Sequence, residues 1–203
     1  LTVAVLTSPN PGFGPGTPLT VTMVPSGYEM HCQGAGCEFS SNQYTLATST
    51  QADPTLMYLQ IYALDPSNSS DNVIGSQNVR GGATIALPLT LTNSSLGGFK
   101  AYNNGPPGSA ITQLSLTGGE YYEYFYFDPN ESSSGGNGTI GYTKPSGAGT
   151  PVSGGQPYLQ SVPLSVTGTP VSFAYVGNIR VGKDLQLTQG LSIPGAAPAG
   201  GLR

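Results

Sequence analysis

The chain has 203 residues and a net charge of −4 at pH 7, with 8 % charged residues, 2 Cys, 1 His and no Trp. So few cations cannot build a field that holds phosphates, and nucleic acid is excluded as an expected partner. A surface this poor in charge must be coated by Ser, Thr, Asn, Gln and Gly. That suits a protein covered by glycans, or one bathed in acid, and both settings lie outside the cytoplasm.

The first predicted element is a short apolar strand formed by Leu1, Thr2, Val3, Ala4, Val5, Leu6 and Thr7, rich in β-branched and aliphatic side chains. The chain starts at Leu1 with no initiator Met, so a leader is expected to have been removed. Residues 8–17 follow with three prolines and three glycines, a composition that joins neither a ladder nor a helix. Hairpin loops need only about two to five residues, so this linker is longer than a fold-back requires. The first strand is therefore read as a donor that enters an open groove on a neighbouring subunit. Seven extended residues span about 23 Å. Burying Val3, Val5 and either Leu1 or Leu6 would stabilise a junction by roughly 5 to 10 kcal/mol before entropy costs.

Beyond the linker, apolar and polar residues alternate with period two, and helical periodicity is nearly absent. Strands are predicted at 19–24, 43–48, 56–64, 72–80, 84–91, 98–102, 110–116, 120–127, 139–143, 158–166, 171–176 and 184–188. The run from Leu56 to Leu64 is apolar on nearly both faces, as a strand covered on both sides would be. Pro88 cannot donate to a ladder, so the strand carrying it is expected at an edge or with a bulge. The stretch 132–155 is poor in apolar residues and reads as a surface excursion. About a dozen short strands at this spacing predict an all-β chain folded as an immunoglobulin-like or pilin-like β-sandwich. The predicted division is a donor strand over 1–7, a linker over 8–17 and one sandwich domain over 18–203. No long apolar run is present to span a membrane.

Cys32 and Cys37 enclose Gln-Gly-Ala-Gly, whose two glycines free the backbone to bring the sulfurs together as a disulfide. A metal site of Cys2His2 or Cys3His type is excluded by the single His31, and no metal or other cofactor is expected. Four Asn-x-Ser/Thr sequons fall in turn-like stretches, at Asn68, Asn93, Asn130 and Asn137, and are expected to carry N-linked glycans.

No catalytic residue is assigned. The closest carboxylate pair, Glu120 and Glu123, is spaced i, i+3, which in a strand sends the two to opposite faces. A Ser/His/Asp triad would have to use His31, and no Gly-x-Ser-x-Gly elbow is present. The segment Tyr121 to Phe127 is the most aromatic. It reads as a strand with Phe125 and Phe127 in the core and Tyr122, Tyr124 and Tyr126 on the other face, or alternatively as a stacking platform for sugars. Lys100, Lys144 and Lys183 are read as solvated surface lysines, with an isopeptide bond beside a buried Glu as the alternative.

In its layout the chain resembles the subunit of archaeal thread filaments, the donor-strand-complemented surface pili of thermoacidophilic Sulfolobales. The features that carry the resemblance are the N-terminal strand Leu1 to Thr7, the Pro/Gly linker, a sandwich low in charge and several sequons. It implies an extracellular, heavily N-glycosylated subunit with an incomplete sandwich, which polymerises head to tail with identical subunits and supports adhesion or biofilm formation without catalysis. Type I pilins of bacterial chaperone–usher systems look similar in architecture. A secreted carbohydrate-binding module and a jelly-roll capsid or surface-layer protein are the alternatives.

Overall fold

A computed structural model describes residues 2–3, 19–20, 23–65, 72–153, 156–157, 159–168, 172–173, 181–183, 188 and 191–192. The strands in chain order are β1 (Thr2–Val3), β2 (Leu19–Thr20), β3 (Ser26–Gln33), β4 (Cys37–Ser40), β5 (Gln43–Ser49), β6 (Thr55–Asp65), β7 (Asn72–Ser76), β8 (Thr84–Leu91) and β9 (Gly97–Tyr102). They continue as β10 (Pro107–Ile111), β11 (Gln113–Thr117), β12 (Tyr122–Pro129), β13 (Gly135–Tyr142), β14 (Val152–Ser153), β15 (Gln156–Pro157), β16 (Val162–Thr167), β17 (Ser172–Phe173) and β18 (Leu191–Ser192). One 3-10 turn, Ser94–Leu96, joins β8 to β9.

Two sheets pack face to face as a sandwich. Sheet one runs β10-β9-β12-β6-β7-β14-β15, with β3 also paired to β6; sheet two runs β11-β8-β13-β16-β5-β4. The centre of sheet one is β6, whose alternation puts Met57, Leu59 and Ile61 fully into the core and leaves Leu56, Tyr58 and Gln60 half-buried on the other face. On the same inner face lie Met30 of β3 and Phe125 and Phe127 of β12. Sheet two answers with Leu46, Leu87, Leu114, Leu116, Ile140 and Leu164. Each such side chain contributes about 1.5–3 kcal/mol relative to exposure, which makes this layer the main source of stability.

Several expected strands are redrawn by the packing. The predicted strand 110–116 is two strands in different sheets: β10 ends at Ile111 in sheet one and β11 starts at Gln113 in sheet two. Between them, Thr112 gives its carbonyl to the Leu89 amide, so the chain crosses the side of the sandwich there. The strand expected at 139–143 within the surface excursion starts earlier, as Gly135–Tyr142, and is an interior strand of sheet two, its glycines tucked beside Leu96 and the β16 backbone. Neither is the strand carrying Pro88 at an edge. In the ladder, β11 covers Thr84–Pro88 and β13 covers Leu89–Leu91. Pro88 sits just past the end of the β13 ladder, where its carbonyl accepts from Thr143 N, so its missing N–H falls at a break between partners.

Candidate functional site

The N-terminal strand is described at Thr2 and Val3, and both pair antiparallel with the β2 backbone, in the register Thr2↔Thr20 and Val3↔Leu19. This ribbon is a separate two-stranded sheet that joins neither sheet of the sandwich. Leu1, Ala4, Val5, Leu6 and Thr7 lie outside the described residues, as does the linker 8–17.

Sheet one meets one side of the sandwich at β3, which pairs with β6 along one edge from Ser26↔Ala63 to Gln33↔Leu56. Among the described residues no strand pairs with its other edge. That edge is instead met piecemeal. Ser26 O accepts from Gly149 N at 2.9 Å, and Met30 N donates to Leu159 O at 2.6 Å. Tyr28 O accepts from the Tyr142 hydroxyl at 2.7 Å and from Gln160 Nε2 at 3.0 Å. Burial pushes the Tyr142 phenol well above its ordinary range, with the nearby Glu29 adding to the effect, so this hydroxyl stays a donor at any working pH. A chain edge whose polar groups are closed by loops and side chains is the usual defence of an otherwise open ladder.

The expected disulfide joins Cys32 to Cys37, with Cα atoms 5.6 Å apart. It does more than staple a loop, because Cys32 ends the edge strand of sheet one and Cys37 begins β4, the edge strand of sheet two. The sequence placed this loop after a strand at 19–24; the strand that leads into it is β3, which alternation did not reveal because Tyr28, Glu29, Met30, His31 and Cys32 are all buried.

Three of the four sequon asparagines gather at one end of the sandwich, and Asn68 lies outside the described residues. Asn93 caps the 3-10 turn by accepting from Ser95 N at 3.3 Å and Ser95 Oγ at 2.7 Å. Asn130 follows the end of β12, accepting from Ser132 N at 3.0 Å while its Nδ2 donates to Ser95 O at 3.1 Å. Asn137 is exposed in β13 between Gly136 and Gly138, whose missing side chains leave room for Asn93 and Leu96.

At the opposite end of β12 the outer face of sheet one carries a continuous aromatic row. His31 stacks on Tyr58 with ring centroids 4.4 Å apart and planes 2° apart. Tyr58 meets Tyr124 at 5.4 Å, and Tyr124 meets both Tyr102 at 5.2 Å and Tyr122 at 5.3 Å. The strand follows the first sequence reading: Phe125 and Phe127 fill the core, and Tyr122, Tyr124 and Tyr126 lie on the outer face. At the start of β12 the row opens into a groove of about 560 Å³, lined by Tyr102, Asn104, Tyr121, Tyr122 and Tyr124 with Glu120 and Glu123.

Glu120 and Glu123 both border that groove. The strand begins at Tyr122, so Glu120 sits in the preceding turn, accepting from Thr117 N at 2.5 Å, and the rule of alternate faces does not apply to it. Burial pushes the Glu123 carboxyl above its ordinary range, and the nearby Glu120 charge adds to the shift.

Elsewhere, Glu29 and His31 share the row of β3 that faces away from the core, Oε2 to Nε2 3.4 Å apart and both buried. Lys100 makes an ion pair with Asp128 at 2.7 Å, both about one-third exposed, and Lys144 donates to Thr150 Oγ1 at 2.8 Å. Lys183 is exposed. Among the described residues, no cluster of three His, Cys, Asp or Glu could hold a metal, and no helix is long and apolar enough to cross a membrane. No protein-family model matches the chain, and neither a curated protein nor a solved structure matches it.

Proposed function

We propose that the protein is the structural subunit of an extracellular filament, polymerised head to tail when the strand Leu1 to Thr7 of one copy completes the sandwich of the next. The observation that carries this reading is the pairing of Thr2–Val3 with Leu19–Thr20 in a ribbon apart from both sandwich sheets. An apolar segment followed by ten residues rich in Pro and Gly is a ready donor. The acceptor is a sheet edge: β3 has no strand partner on its outer side among the described residues, and the loop and side-chain bonds from Gly149, Leu159, Tyr142 and Gln160 would give way to the incoming strand. Such a contact is heterologous, so it propagates into a fibre and does not close into a dimer.

The low charge and the sequons fit a glycan-coated surface outside the cell, and the disulfide fits the same oxidising setting. Adhesion or biofilm support is the role such a filament serves, with no catalysis. The test is peptide exchange. Protein lacking residues 1–7 is mixed with a synthetic peptide Leu1 to Thr7 and with the same peptide carrying Val5→Asp. Binding of the first and not the second supports the reading, because a buried carboxylate without a partner is costly; equal binding of both, or of neither, contradicts it.

A further inference from the structure

We propose that the groove at the start of β12 binds a neutral oligosaccharide, whose pyranose faces stack on Tyr121 and Tyr122 and whose hydroxyls bond to Glu120, Asn104 and the tyrosine phenols. The inference is independent of the filament reading, since a single folded copy carries the whole groove.

Three features of the groove carry it. The first is shape: about 560 Å³ of open space is within the range of roughly 300–1,000 Å³ typical of small-ligand sites. The second is the arrangement of the rings. Tyr121 and Tyr122 stand at 77° to one another with centroids 4.7 Å apart, and Tyr122 and Tyr124 at 76°. In an edge-to-face pair the edge of one ring covers only one face of the other, and Tyr121 and Tyr122 are 37 % and 38 % exposed, the most open tyrosines among the described residues. A sugar face, with its axial C–H bonds, is the complement of such an aromatic face.

The third is the polar inventory. No described residue hydrogen-bonds the hydroxyls of Tyr102, Tyr121, Tyr122 or Tyr124, whereas Tyr126, outside the groove, donates to the Gly105 carbonyl. Glu120 and Glu123 line the groove and no Lys, Arg or His does. Two carboxylates without a cation repel uronates, sialylated glycans and phosphates, and accept well from uncharged sugar hydroxyls. The Glu123 carboxyl is held above its ordinary range by burial and by Glu120. A quaternary ammonium ligand would also like tyrosine rings and carboxylates. It needs rings that converge around a point, and the row here is laid out along a strand.

The chain has 12 Tyr and no Trp, so tyrosine emission is not masked by indole, and comparison with Tyr122→Ala assigns a change in it to the groove. The intact protein is titrated with gluco-, manno- and N-acetylglucosamine oligomers, a uronic-acid oligomer, choline, and the glycan released from the protein's own asparagines. We expect saturable quenching by at least one neutral oligomer and none by uronate or choline. Quenching by the released glycan alone assigns the groove to a neighbouring copy's sugar, and quenching by the others alone assigns it to a foreign surface. Tyr122→Ala should weaken binding by about tenfold or more, as loss of a central aromatic contact does, while Tyr126→Phe binds like the parent. Should Tyr122→Ala fold poorly, saturation-transfer NMR on the parent protein reads sugar protons lying against aromatic rings. Absence of binding by every neutral oligomer, preference for uronate or choline, undiminished affinity in a folded Tyr122→Ala, or no aromatic transfer to a bound sugar overturns the proposal.

Discussion

Cys32 binds Cys37 across the side of the sandwich, so the last turn of one sheet's edge strand is tied to the first residue of the other sheet's edge strand. Closing so short a ring constrains the unfolded chain by about 2 to 3 kcal/mol in the chain-entropy model. Reductant should therefore lower the melting temperature by roughly 5 to 10 °C for a chain of this length. The folded sandwich should survive at room temperature, because its core does not depend on the bond. A thiol assay on denatured, unreduced protein should find no reactive thiol; two would contradict the pairing.

Gly36, inside that ring, is the described glycine with the closest backbone neighbour at its Cβ position. Its φ of +82° lies in the left-handed region, and a Cβ built there would overlap the Ala47 carbonyl oxygen. Its own carbonyl accepts from Ala47 N at 2.9 Å, which fixes the approach of the two backbones. Gly36→Ala should cost about 2 to 4 kcal/mol, measured by urea unfolding. Gly98→Ala, in β9 with open space where its Cβ would sit, should cost about 0.5 kcal/mol or less.

Glu123 gives a pH signature with a definite sign. Its folded-state pKa is raised above the ordinary value of 4.5 by burial and by Glu120. Folding thus favours the protonated form, so the stability present below the ordinary value is lost as pH rises through the folded value. Glu123→Gln removes this dependence. The variant should melt higher than the parent at pH 7, and the difference should disappear at about pH 3, where the parent carboxyl is protonated in both states. An equal difference at both pH values would mean that the effect is packing and not charge.

Glycans are expected on Asn93, Asn130, Asn137 and Asn68 in material from the native host, and glycopeptide mass spectrometry decides it. Asn93 and Asn130 already hold the backbone of the 3-10 turn through their side chains. Replacing either with Gln should lower stability through the lost turn bonds by about 1 kcal/mol, even in unglycosylated protein. The exposed Asn137→Gln should leave unglycosylated protein within about 0.5 kcal/mol of the parent.

The parts legible in the sequence were those whose signal is local. Period-two alternation and, for β6, a continuous apolar run located β5, β6, β8, β9 and β12 within a residue or two, and the glycine-bearing gap between Cys32 and Cys37 gave the disulfide. What remained hidden depended on partners distant in the chain. Both faces of β3 are buried, so its run from Tyr28 to Cys32 shows no alternation, and its polar Glu29 and His31 made it look unlike a buried strand. Gly135 to Gly138 reads as loop by composition and extends the expected strand at 139–143 because β16 and β8 take its edges. The tyrosine groove joins the turn before β12 to the end of β9, 20 residues earlier at Tyr102, and spacing along one strand could not anticipate that.

The central claim is tested most directly by electron microscopy of native protein beside a version lacking Leu1 to Thr7, each also run unboiled on a denaturing gel. The account predicts filaments and a ladder of multimers for the full chain, and neither for the shortened one, which should remain a folded monomer that binds the free peptide. Filaments of unchanged form from the protein without residues 1–7 would contradict it.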